Sequence, residues 1–115
     1  MYESTREKGR KTEQIAASFL AKQGITVIEH NYSCKIGEID LVAREGTTLI
    51  ICEVKYRKNT GFGYPEEAVD YRKQNKIRRV TQIYMLERHI PEDTKVRFDV
   101  ISILGNSIKH IRDAF

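Results

Sequence analysis

Two short strings hold the residues that could do chemistry: "GEIDLVA" at 37–43 and "EVKYR" at 53–57. They set Glu38, Asp40, Glu53 and Lys55 inside otherwise apolar segments. Charged groups are costly to bury without partners, so the placement calls for a role. Two carboxylates on adjoining strands can share a divalent cation. Mg²⁺ suits such a pair, because it takes oxygen ligands and keeps several waters; Mn²⁺ is the alternative. A lysine two residues beyond the second acid stands on the same strand face, beside that ion. An acid-x-Lys triplet is cheap by itself. Asp93-Thr94-Lys95 has the same spacing, but it follows Pro91 and has no acid-bearing partner strand. A strand acid, a turn and then E-x-K on the adjoining strand is more specific than the triplet alone.

The elements that position these residues read as two strands, 37–44 and 48–56, joined by Glu45-Gly46-Thr47. Side chains alternate faces along a strand. Ile39, Leu41, Ala43, Ile50, Cys52, Val54 and Tyr56 form an apolar face that should meet the core. Glu38, Asp40, Val42, Leu49, Ile51, Glu53 and Lys55 form the other. Pairing Val42 with Ile51 sets Asp40 opposite Glu53 and Glu38 opposite Lys55. Like charges directly opposite destabilise a sheet, so that register needs a cation between Asp40 and Glu53. Two expectations follow. Asp40, Glu53 and Lys55 share one face, and Ile39, Leu41, Ile50, Cys52 and Val54 are buried against a helix.

A first helix is expected over 5–23, stopped by Gly24, with Ile15, Ala16, Phe19 and Leu20 as its apolar stripe. Glu13 lies roughly 20° around the wheel from Leu20. It borders the stripe and faces either the sheet or solvent. A strand follows over 25–31. Residues 57–64, with Asn59, Gly61 and Gly63, read as a loop. Pro65-Glu66-Glu67 opens a second helix to about 89, with Ile77, Val80, Ile83 and Tyr84 buried and Pro91 as its end. Strands at 96–104 and 107–112 flank a Gly105-Asn106 turn. The order αβββαββ predicts one α/β or α+β domain over 1–115, a sheet with helices packed on it.

Composition suits a soluble globular protein: 40% of 115 residues are apolar and 31% charged. No apolar run has the length of a bilayer span. Residues 1–11 are too polar for a secretory signal, so a cytoplasmic location is expected. Cys34 and Cys52 lack zinc-site spacing and read as free thiols. Net charge is +4 and the pI about 9.1. The basic bias concentrates in Arg72, Lys73, Lys76, Arg78 and Arg79, and no acid occurs over 71–86. Such a cluster is either a polyanion footprint or a solvated helix face.

"GEIDLVA", "EVKYR", "FGYPEEAV" and "RFDV", in that order, resemble the YraN-like family of small bacterial proteins. The resemblance runs from Gly9 to the terminal "HIRDAF". It implies a restriction-endonuclease-like fold of the PD-(D/E)xK nucleases, a central mixed β-sheet flanked by helices. By matching positions, Asp40 and Glu53 become metal ligands, and Lys55 the lysine that positions or activates the attacking water. Glu13 matches an accessory acid of Holliday-junction resolvases and joins the metal set. Lys73 matches a family lysine on the second helix. Ile39 stands where the superfamily has proline, and Thr12 where a glycine precedes the helix glutamate.

The implied activity is Mg²⁺-dependent hydrolysis of DNA phosphodiesters, on branched or structured DNA. Arg57, Lys58, Arg72, Lys73, Lys76, Arg78 and Arg79 would hold backbone phosphates. Nothing in the sequence points to base readout. Two other classes compete: a nucleic-acid-binding module that keeps the fold without catalysis, and a protein-interaction subunit. A second copy of the chain, in a homodimer, is the other partner considered.

Overall fold

Gly46 makes a tight chain reversal. Its φ of +61° belongs to the left-handed region that glycine enters without steric cost. With Thr47 it closes a two-residue hairpin between Glu45 and Thr48, which are paired across the strands. The computed structural model describes residues 5–115. Residues 1–4, the start of the polar segment weighed as a signal, lie outside the described residues.

Helix α1 (Thr5–Ala21) leads into β1 (Thr26–Cys34), β2 (Gly37–Glu45) and β3 (Thr48–Arg57). A 3₁₀ turn (Pro65–Ala68) and α2 (Tyr71–Glu87) then cross to β4 (Val96–Leu104) and β5 (Ser107–Ile111). The five strands form one sheet in the order β1-β2-β3-β4-β5. Neighbours are antiparallel except β3 and β4, which the α2 crossover makes parallel. The sheet is therefore mixed α/β and flanked by helices, as a restriction-endonuclease-like fold requires. Val42 pairs with Ile51, the register expected from the charges.

Each face of the sheet has its own core. Ala16, Leu20 and Ile25 pack on Leu41, Ala43, Ile50, Cys52, Val54, Ile101 and Ile103. Ile77, Val80 and Tyr84 of α2 pack on Ile39, Val42, Leu49, Ile51 and Val100. Ile39 is thus buried but on the α2 side, not with Leu41 as strict alternation predicts. The cause is a break in phase at the Asn31–Asp40 level. Asn31 adopts φ 54°, a left-handed conformation that asparagine tolerates. No Cα pairing is made between Asn31 and Asp40, although the flanking pairs His30↔Leu41 and Tyr32↔Ile39 form. Tyr32 and Ile39 consequently lie together in the α2 core. Strand β1 resumes beyond Asn31, where the sequence pattern ends it.

Three further departures have local causes. Ile15 is exposed, leaving Ala16 and Leu20 as the buried stripe of α1. The second helix splits in two: Val69 leaves helical geometry, and the Asp70 carboxylate accepts the Lys73 N–H at 2.9 Å as a new N-cap. At the other end α2 stops before Pro91, where His89 takes φ 56° and the Ile90 N–H bonds back to Met85. Both cysteines are free, and burial pushes the Cys52 thiol up.

Leu41 is fully buried. Leu41→Ala is expected to cost about 2–5 kcal/mol in urea unfolding. A loss below about 1 kcal/mol would contradict its place in the core.

Candidate functional site

The β2–β3 ladder runs from Glu45↔Thr48 to Leu41↔Cys52 and stops there. Beyond it, the Val54 N–H donates to Asp40 Oδ2 at 2.8 Å. A carboxylate thus replaces the next backbone acceptor. Asp40 and Glu53 are not ladder partners as the sequence register supposed, nor are Glu38 and Lys55. Asp40 is nevertheless brought against Glu53. The acids meet because the side chain enters the seam between strands, not because their backbones pair.

Glu53 is 1% exposed, and its Oε1 has no hydrogen-bond partner among the described residues. Such a buried acceptor is costly unless something satisfies it. Burial first, and the Asp40 charge second, push Glu53 up to about 8; the charges of Lys73 and Lys55 act in the opposite direction. Lys55, two residues along β3, is thus close enough for its charge to act on Glu53. Lys73, read from sequence as a phosphate binder, acts there as well.

An open cleft of about 360 Å³ lies in front of Asp40, lined also by Gly9, Thr12, Glu13, Asn31, Glu38 and Tyr56. Glu13 stands in this wall and faces the sheet, one of the two orientations the helical wheel allowed. Its pKa is raised, by burial first and then by Asp40 and Glu38, while a hydrogen bond with Asn31 opposes the rise. No group of three or more His, Cys, Asp or Glu side chains is close enough to hold one ion among the described residues. Asn31 went unread as a site residue. An asparagine amid strand-forming residues was the available signal.

The basic cluster divides. Arg72, Lys76 and Arg79 are exposed, as is Lys58. Arg78 is committed elsewhere: its guanidinium lies 5.8 Å from the Phe98 ring centre and 5.3 Å from that of Phe115. It also donates to Asn75. Arg78 thus also serves the fold. Arg57 is half-buried, with Nε unpartnered among the described residues.

Two close carboxylates, one buried and short of a partner, with lysines on the flank, form a donor set that fits a hard divalent cation. Mg²⁺ is bound through one or two carboxylates with waters completing the shell. The same geometry predicts a pH dependence without metal. The fold favours protonated Glu53 up to about 8, whereas the unfolded chain releases that proton near ~4.3. Stability should therefore fall as pH rises between those values and level off above them. In chelator, Glu53→Gln is expected to flatten that decline, on the order of several kcal/mol. Urea unfolding at several pH values reads it, and an unchanged slope in the variant assigns the decline to another group.

The chain belongs to the uncharacterised protein family UPF0102, the YraN-like family of the sequence reading, which it matches over residues 12–103. A UPF0102 protein of Persephonella marina is 43% identical over 108 residues, covering 94% of this chain and 92% of the relative. One from Lachnoclostridium phytofermentans is 44% identical with the same coverage. One from Legionella pneumophila is 42% identical over 113 residues, covering 96% of each chain. No helix among the described residues is long and apolar enough to cross a membrane.

Proposed function

We propose that this protein is a metal-dependent endonuclease that hydrolyses DNA phosphodiester bonds and acts on branched or structured DNA in the cytoplasm. The observation that carries the reading is the buried Glu53 carboxylate, its Oε1 without a partner among the described residues, set against Asp40 at the edge of an open cleft. Asp40 and Glu53 are the residues that would hold the ion. When bound, Mg²⁺ or Mn²⁺ supplies Lewis-acid neutralisation of the phosphate and a lowered pKa for a bound water. Asp40 is oriented for this by the Val54 N–H. Lys55 adds positive charge where the transition state gains negative charge. Lys58, Arg72, Lys76 and Arg79 hold the flanking phosphates, which sets affinity and its salt dependence but reads no sequence.

The test is a cleavage assay on linear, flapped and four-way DNA with Mg²⁺, Mn²⁺ or chelator. Cutting that needs metal supports the reading. Salt-dependent binding without cutting on any substrate replaces it with a nucleic-acid-binding module of the same fold. Neither binding nor cutting leaves a protein-interaction subunit.

A further inference from the structure

The segment that leaves the site on β3 and returns to it at Lys73 carries a feature the phosphodiester chemistry does not use. Phe62 is 93% exposed, Tyr64 52% and Tyr71 75%. Single exposed apolar residues are ordinary. Three aromatics within ten residues, with Arg57 and Lys58 before them, Arg72 after them and Glu66, Glu67 and Asp70 between, are not an ordinary surface. Nor is the Phe62 loop left loose. The Gly105 N–H holds the Arg57 carbonyl at 2.8 Å where the loop begins. At its far end the Ser102 hydroxyl donates to Glu66 at 2.6 Å, and Lys109 donates to the same carboxylate at 3.1 Å.

The tip is built to present a ring. The Asn59 side chain accepts the Gly61 N–H at 2.9 Å, and the Gly63 N–H closes back on the Thr60 carbonyl at 3.0 Å. Gly63 has φ +92°, and a Cβ there would come within 2.8 Å of Glu67 Oε2. That positive φ favours glycine, and Phe62 next to it stands exposed. The position is equally specific. Arg57 ends the strand that carries Glu53 and Lys55, and Tyr71 opens the helix whose Lys73 charge acts on Glu53.

We infer that Phe62, together with Tyr71, is a stacking platform for unpaired nucleobases, so that the substrate is nucleic acid with a single-stranded region beside the cut phosphate. Rigid exposed aromatics among cations bind single strands in this way. Every base has a π-face, paired bases hide theirs in the duplex, and the cations track the backbone. This rests on the nuclease reading and narrows its substrate class. It also accounts for weak sequence preference, because stacking tolerates any base.

The test uses the full chain in chelator, so that nothing is cut, with a fluorescently labelled oligothymidine and a blunt duplex of the same length. The chain has no tryptophan, so Phe62→Trp introduces its sole indole. The expected result is quenching of that indole by the single strand and not by the duplex. Phe62→Ala is expected to weaken single-strand binding by about tenfold, the size of one base stack, with duplex binding changed less than about twofold. The exposure of Phe62 makes both variants foldable, and their melting temperatures check it. An unquenched indole with unchanged affinities overturns the inference while metal-dependent cleavage leaves the nuclease reading standing. A change of oligomeric state in Phe62→Ala, with DNA affinity untouched, overturns it in favour of a contact between copies. Absence of binding to either probe by wild type overturns this inference and removes the DNA-binding basis of the nuclease reading.

Discussion

Asp40→Asn is expected to abolish cleavage of every substrate that the wild-type protein cuts while leaving nucleic-acid binding in place. Two features make this substitution diagnostic. The side chain accepts the Val54 N–H through one carboxylate oxygen, and asparagine keeps an oxygen for that bond, so the β2–β3 seam survives. What disappears is the negative charge, which in the proposed site would hold the ion and which raises the pKa of Glu53. Loss of one preorganised electrostatic group in an active site costs roughly 10²–10³ in rate. A carboxylate that also anchors the cation should cost at least the upper figure. Affinity in chelator should stay level or tighten, because an anion that faces phosphate is lost. Single-turnover cleavage and DNA titration of both proteins give the answer, and a variant that cuts as fast as wild type sinks the site whatever the fold. Exchanging Arg72, Lys76 and Arg79 for alanine should act in the opposite sense, weakening binding and flattening its salt dependence.

The hairpin at the centre of the site was legible because two independent signals coincide there. Period-2 alternation marks the strands, and Glu45-Gly46-Thr47 marks the turn, so the Val42↔Ile51 register followed from matching apolar residues. The limits of β4 were legible for the same reason, with Pro91 and Gly105 bracketing a strand rich in β-branched and aromatic residues. What could not be read is how Asp40 reaches Glu53. Alternation is a rule for regular strands, and Asn31 suspends it by turning to positive φ opposite Asp40. The Asp70 cap shows a different failure. Its signal was present, an Asp before a polar helical turn, but Pro65-Glu66-Glu67 is an equally good helix start, and only tertiary packing selects a 3₁₀ turn that ends at Val69. Glu13 could be placed at the edge of the α1 stripe, but its partner Asn31 lies on a strand the wheel does not describe.

The two motifs left outside the site, "RFDV" and the terminal "HIRDAF", meet at β4, and removing their shared acid is expected to give the largest stability loss proposed here. Asp99 is fully buried. Arg97 donates to it with Nε and Nη2, each at 2.9 Å, and the Asp113 N–H donates to Oδ1 at 3.0 Å. His110 Nε2 lies 2.7 Å from Oδ2. One carboxylate therefore holds its own strand, its neighbour β5 and the C-terminal turn. It also seats the chain end, where the Ala114 N–H bonds to the Phe98 carbonyl and Phe115 stacks on Phe98. Burial by itself would raise the Asp99 pKa, but Arg97, the Asp113 amide and His110 outweigh it and hold the acid below its ordinary value. Its contribution is present above the unfolded carboxylate pKa and is lost as pH falls through the folded one. Asp99→Ala leaves the Arg97 and His110 partners without their acid, so it should cost about 3–5 kcal/mol. The measurement is urea unfolding of Asp99→Ala, Arg97→Met and the double variant. If the carboxylate is the common anchor, the double variant costs much less than the two single losses added. Additive losses, or a cost below about 1 kcal/mol for Asp99→Ala, would show that this end of the sheet is held by packing alone.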